Sequence, residues 1–100
     1  MVLLTVYNPY ADSDAVLRIG GVNWRVAALA DSLVRRLNER IVQCAEANGF
    51  LVADVYAAFA AAGSVPVNGT YDGSNPLLFD PHPNEEGHAL IAALLTDLPQ

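Results

Sequence analysis

Two histidines, three carboxylates and two prolines lie within ten residues, from Phe79 to His88, of a chain otherwise rich in alanine and leucine. In this segment His82 stands between two prolines and follows Asp80 by two residues. Imidazole titrates near neutral pH, and a neighbouring carboxylate can orient the ring and stabilise the imidazolium that forms when it accepts a proton. The pair therefore predicts a general base that activates a nucleophile. Alternatively, both side chains only solvate and cap the start of a helix.

The same segment resembles the last conserved block of the SGNH (GDSL) hydrolases, a family of serine esterases and lipases. The likeness rests on Asp80-Pro81-His82-Pro83-Asn84, then Gly87-His88 and Leu90-Ile91. Upstream, LLTVYNPY resembles the family's fourth strand, and the long helix with GFLVADVYAAF resembles its next helix and fifth strand. The resemblance implies hydrolysis of carboxylic esters and a catalytic Asp and His, and no cofactor is expected. Short acyl chains are the expected substrates because a chain this short has little material for a deep lipid pocket.

The resemblance also implies a fold class: α/β, a partial flavodoxin-like α/β/α architecture with a short parallel sheet. The family's serine block, its oxyanion glycine and its oxyanion asparagine precede the fourth strand and are not in this sequence. Residues 1–100 thus resemble the C-terminal half of such an enzyme, as one truncated domain. Two hypotheses follow: an esterase with a substitute serine, or a non-catalytic half-domain that needs a partner supplying the serine block.

The orienting carboxylate departs from the family pattern. The family spaces the pair as D-x-x-H, but here Phe79 stands three residues before His82 and Asp80 only two before it. Asp80 is the first candidate for the carboxylate that orients His82, and Asp72 is the second.

Four serines are available as nucleophiles, and two of them are candidates. Ser74 ranks first because it shares a loop with His82, and Asn75 with nearby backbone N–H groups could bind the oxyanion. Ser13 ranks second because it follows the first strand, at the edge where open α/β sheets place ligands, with Asn8 close by. Tyr10 and Phe79 could line an acyl pocket. Ser32 and Ser64 have sequence contexts typical of structural residues.

A metal site is not predicted. His88, Glu85 and Glu86 stand near His82, but the two glutamates point around a helix start and do not converge, whereas zinc needs three or four converging ligands. The prediction is therefore no metal, with His88 a surface or interface residue.

Hydrophobic patterning predicts the elements that position these residues. A strand at Val2–Tyr7, a helix at Trp24–Ala47 and a strand at Phe50–Val55 form a right-handed parallel unit, with both strands covered on both faces. Asn23 is the expected N-cap of that helix, Asn48-Gly49 its stop, and Cys44 a buried position on it. Two loops are predicted, one at Tyr10–Gly21 with a helical turn at Ala15–Ile19 and a long one at Gly63–Pro83. A short helix is predicted at Tyr56–Ala62. The last helix is expected to be capped by Asn84 and to bury Leu90, Ile91, Leu94 and Leu95.

Composition bears on partners. The chain is 53% hydrophobic with a net charge of −6, which disfavours nucleic acid and anionic membranes as partners. Two strands leave open sheet edges, so pairing of edges in a homodimer or higher oligomer is predicted. Lacking a signal peptide pattern, the chain is expected in the cytoplasm, acting on a small ester.

Overall fold

The computed structural model describes residues 1–70 and 79–98, in which strands and helices are mixed along the chain. The elements of the described residues are β1 (Val2–Leu4), β2 (Val16–Ile19), β3 (Val22–Arg25), α1 (Val26–Asn48), β4 (Leu51–Ala53), α2 (Val55–Ala61), β5 (Val67–Gly69), β6 (Asp80–Pro83) and α3 (Glu85–Asp97). The strands form the two-stranded sheets β1–β4, β2–β3 and β5–β6. The protein is therefore of mixed α/β class.

The predicted strand–helix–strand unit is confirmed. β1 and β4 are parallel, with Val2 opposite Leu51 and Leu4 opposite Ala53, and α1 makes the crossover between them. Full burial of both strands was predicted wrongly, because Leu4 and Leu51 remain exposed. A sheet of two short strands offers too little surface for helices to enclose both faces.

The long helix α1 begins two residues later than predicted. Asn23 and Trp24 pair with β2 in a sheet, so Asn23 cannot be the N-cap, and Arg25 occupies that position without a side-chain cap. The predicted stop is confirmed: Gly49 has φ 69°, and its N–H bonds to carbonyls of the last turn. Cys44 is exposed rather than buried, because the buried side of α1 passes through Asn38 and Ala45 instead.

The loop predicted at Tyr10–Gly21 contains a strand instead of a helical turn. β2 pairs antiparallel with β3, with Ile19 opposite Val22 across Gly20 and Gly21. Both glycines have positive φ, 58° and 81°, the conformation of the two-residue turn that matches the twist of a hairpin. The glycine pair is the sequence signal for this turn, and the same pair also occurs in loops without a hairpin.

The hydrophobic core lies between α2, the segment after it, and α3. Its buried members are Val55, Phe59, Val65 and Val67, and Tyr7, Leu90, Ile91 and Leu94 pack against them. Leu95, predicted to be buried, is 43% exposed. The short helix α2 was predicted within one residue at each end.

The predicted loop at Gly63–Pro83 includes two strands. β5 and β6 are antiparallel, with Val67 opposite Pro83 and Gly69 opposite Asp80 across an irregular register. Prolines in β6 are compatible with a two-stranded ribbon, where one side of each strand needs no partner. This ribbon carries Asp80 and His82 and leads directly into α3.

Candidate functional site

The candidate site is centred on the predicted Asp80–His82 pair. The two side chains meet: His82 Nδ1 lies 2.6 Å from Asp80 Oδ1, and the backbone N–H of His82 donates to the same oxygen at 3.0 Å. The second carboxylate oxygen accepts from the Asn68 side chain on β5 at 3.3 Å. With Nδ1 held by the carboxylate, Nε2 is the ring nitrogen left to exchange a proton with a substrate or nucleophile.

The electrostatics of the pair favour a charged carboxylate. Hydrogen bonds from the His82 ring, first, and from its backbone N–H, second, lower the pKa of the Asp80 carboxyl below its ordinary value. Asp80 is therefore ionised at neutral pH and available to stabilise an imidazolium at His82. The side chains are 81% and 45% exposed for His82 and Asp80 respectively, so solvent moderates this interaction.

The start of α3 fixes the position of the pair. Asn84 caps the helix as predicted, accepting the N–H of Gly87 at 2.9 Å, and its own N–H donates to the Pro66 carbonyl. Glu85 and Glu86 occupy the first turn, where negative charge complements the helix dipole. Asn84 therefore has the predicted structural role two residues beyond His82.

Tyr7 connects β6 to the core, a role that we did not predict. Its hydroxyl donates to the carbonyl of Pro81, between the two site residues, and its ring lies 4.5 Å from that of Phe59. Burial, and secondarily the charge of Asp80, raises the pKa of the Tyr7 hydroxyl. The hydroxyl therefore stays protonated and acts as a donor. In the sequence, the signal for this role is that Tyr7, an aromatic residue with a hydroxyl, ends the predicted first strand.

The predicted pocket aromatics are brought together. Tyr10 and Phe79 stack with ring centroids 5.1 Å apart, and Phe79 directly precedes Asp80. The two predicted acyl-pocket aromatics therefore contact each other, and their contact with an acyl group remains a prediction.

Ser13 is not placed as a nucleophile requires. It is 2% exposed, and its Oγ accepts the N–H of Ala15 at 3.1 Å. Asn8, predicted to assist it, is also buried; its side chain accepts from the Tyr10 N–H and donates to the Ala27 carbonyl. Both residues hold the loop after β1 in shape, which is why polar residues occur there. Ser13 in this position cannot meet a substrate.

Ser74, Asn75 and Asp72 lie outside the described residues. Their predicted roles remain predictions, whereas Asp80 is seen in contact with His82. Among residues 1–70 and 79–98, no hydroxyl is hydrogen-bonded to the His82 ring, and no group of three His, Cys, Asp or Glu side chains could hold a metal ion. His88 is exposed on α3.

A groove of about 500 Å³ lies elsewhere, beside β1 and α1, lined by residues that include Thr5, Arg35 and Tyr56. Two pairs of lining side chains are hydrogen-bonded, Arg35 to Tyr56 and Thr5 to Asp54, and Tyr56 also donates to Asp31 beyond the lining. These bonds tie α1, β1 and α2 together, so we interpret the groove as structural. In the part of the chain described, no helix is long and apolar enough to cross a membrane.

Comparison of the chain with protein-family models, with curated proteins and with solved structures finds no match.

Proposed function

We propose that this chain carries out the acid/base chemistry of a carboxylic ester hydrolase, with His82 as general base and Asp80 as its orienting carboxylate. The observation that carries the proposal is the 2.6 Å contact from His82 Nδ1 to an ionised Asp80. That contact fixes the ring and leaves Nε2 to take a proton from a hydroxyl nucleophile. The sequence resemblance to SGNH hydrolases, with a partial flavodoxin-like fold, supports the same proposal.

The proposed substrates are small esters with short acyl chains. The stacked rings of Tyr10 and Phe79 are the proposed contact for the acyl group. A chain of 100 residues has little material for the deep cavity that a long acyl chain needs. Ser74 remains the first candidate nucleophile, with Asn75 as a donor to the oxyanion, because Ser13 is buried. Attack by a serine on the ester carbonyl would form an acyl-enzyme and release the alcohol, and water activated by His82 would then release the acid.

The second candidate is a non-catalytic half-domain whose partner supplies the serine. It is favoured by the burial of Ser13, which removes one of the two candidate nucleophiles. Under this alternative the Asp80–His82 pair is formed but has nothing to activate until the partner binds.

Hydrolysis of p-nitrophenyl acetate and butyrate by the purified chain tests the proposal. His82→Ala should lower kcat/KM by 100-fold or more, and His88→Ala serves as the matched control because it removes another exposed histidine. Ser74→Ala should match His82→Ala, and Asp80→Asn should lower kcat/KM about tenfold or more through loss of ring orientation. Labelling by a fluorophosphonate, located by mass spectrometry, would identify the nucleophile.

Equal rates for the wild type and His82→Ala would refute the esterase proposal. If the wild type is folded by circular dichroism yet no faster than His82→Ala, the half-domain alternative is favoured.

A further inference from the structure

The β2–β3 hairpin, Val16–Arg25, forms an arm with an exposed apolar face. All eight of its strand residues are exposed. The cross-strand pairs are Leu17 with Trp24 and Ile19 with Val22, and directly opposed residues share one face of a sheet. The four side chains of this arm face are between 45% and 56% exposed. A two-stranded hairpin is barely stable alone in water, so this face is suited to cover by another surface.

The other face of the arm is polar and basic. It carries Val16, Arg18, Asn23 and Arg25, so the two faces differ sharply in chemistry. The arm holds two of the chain's five cationic residues and none of its eleven carboxylates. The two arginines lie on the face opposite Leu17 and Trp24, so docking of the apolar face leaves them in solvent.

A second apolar surface lies on the helix that follows the arm. Leu33 and Leu37, one turn apart on α1, are 66% and 50% exposed. Residues four apart share one side of a helix, so they form an apolar stripe. The base of the arm is closed by the bond from the Val26 N–H to the Ala15 carbonyl, which holds the arm at the N-terminal end of α1.

The sheet edge is a poorer interface than the arm. The bonds of β1 to β4 involve Met1 and Thr5, so alternate residues, including Val6, face the open edge. At Val6 both backbone groups are already bonded, at 2.7 Å and 2.9 Å, by the buried side chain of Asn38. Extension of the sheet along the β1 side is therefore blocked at Val6.

We infer that the arm face docks on the Leu33/Leu37 stripe of a second copy of this chain, in a twofold-symmetric exchange of arms. The interface area favours docking of both arms rather than one. The four half-exposed side chains of an arm face present on the order of 300 Å², and covering them buries a similar area on the partner. One arm thus buries about 600 Å², whereas two reach about 1,200 Å², the lower limit for a specific interface.

Sedimentation of the tag-free chain from about 1 to 200 μM, with Trp24 emission on the same samples, tests this inference without reference to esterase activity. Trp24 is the only tryptophan and lies on the arm face, so its emission reports arm burial directly. We expect a dimer whose dissociation is accompanied by a red shift of Trp24 emission. Leu17→Thr with Ile19→Thr should raise the dissociation constant at least 20-fold, because threonine keeps strand propensity but removes apolar area.

The matched control is Val16→Thr with Asn23→Thr on the other face, which should change the dissociation constant less than threefold. Leu33→Gln with Leu37→Gln should weaken the dimer as strongly as the arm variant, because the two surfaces meet. A chain that stays monomeric at 200 μM would overturn the inference. So would a dimer that the arm variant does not weaken, or Trp24 emission that does not change as the dimer dissociates. The wild-type emission result stands even if a variant does not fold.

Discussion

At the scale of single residues, the strand conformation of β6 explains how a carboxylate only two residues from a histidine can orient it. Side chains at i and i+2 of a strand lie on the same side, so Asp80 and His82 meet without help from distant segments. Pro81 between them fixes the backbone angle φ. The D-x-H spacing is thus sufficient for the carboxylate to reach the ring within one short strand.

The Asp80 carboxyl should titrate below the ordinary aspartate pKa of about 3.9, because the hydrogen bonds from His82 stabilise its charged form. Carbon-13 NMR of the side-chain carboxyl across pH 1.5 to 7 measures this directly. His82→Ala should move the midpoint upward, towards the ordinary value, and His88→Ala should leave it in place. A midpoint that is the same in wild type and His82→Ala would contradict the proposed contact.

At the scale of elements, Gly87 in the first turn of α3 packs so closely against the core that no side chain fits at its position. A Cβ on Gly87 would lie 2.5 Å from the carbonyl oxygen of Pro66, 2.8 Å from Cβ of Pro83 and 3.2 Å from a ring carbon of Phe59. The glycine in the Phe79–His88 segment is therefore required by packing. It lets α3, β6 and the core approach, and so sets where His82 stands relative to the rest of the molecule.

Gly87→Ala should lower the free energy of unfolding by about 1–3 kcal/mol, the usual cost of overpacking, because backbone and ring atoms must move. Urea denaturation monitored by circular dichroism measures this. Gly63→Ala is the control, since a Cβ there meets nothing within 4 Å, and its effect should be small. If both variants are equally stable, the close packing of α3 on Pro66 is refuted.

One buried amide joins α1 to the segment that directly follows β1. Asn38 both donates to and accepts from the backbone of Val6, taking the place of a neighbouring strand. Asn38→Leu should lower the free energy of unfolding by about 1–3 kcal/mol, because the Val6 groups lose their partners. Gln43→Leu, at an exposed position of the same helix, should change it little. Chemical denaturation of the two variants gives the comparison, and equal stabilities would contradict the role of Asn38.

At the scale of the whole molecule, exposed apolar surfaces affect stability and association as much as the buried core does. Among the described residues, the core cluster of Val55, Phe59, Val65 and Val67 is small, while the arm face and the Leu33/Leu37 stripe leave large apolar side chains in solvent. A chain of about 100 residues has a thin margin of stability by itself. Association through these surfaces would therefore add to the stability of the fold, as binding of any partner to the native state does.

The thermal midpoint should consequently rise with protein concentration, because a dimer dissociates on unfolding. A change from 2 to 200 μM should raise Tm by several degrees in the wild type, measured by circular dichroism in cells of matched path length. In the Leu17→Thr/Ile19→Thr variant Tm should be independent of concentration. A wild-type Tm that does not depend on concentration would contradict association of the native state.

The sequence alone determined what local patterns encode. Helical periodicity and the Asn48-Gly49 stop predicted α1 to within two residues at its start and one at its end, and Asn84 predicted the start of α3. The Asp80–His82 contact was also predictable, because its partners are two residues apart. Each of these features depends on neighbours in the chain, so its signal is complete within a short window of residues.

Only the tertiary structure decided which side chains are buried and which segments pair. Ser13 is buried and Cys44 exposed, contrary to the roles predicted for them, because burial depends on what packs against a residue from elsewhere in the chain. The β2–β3 arm was not predicted, because its turn is a glycine pair that is also typical of loops. The close packing at Gly87 depends on Pro66 and Phe59, which are more than twenty residues away in sequence. Long-range packing has no signature in a local window, so it had to be observed in the folded protein.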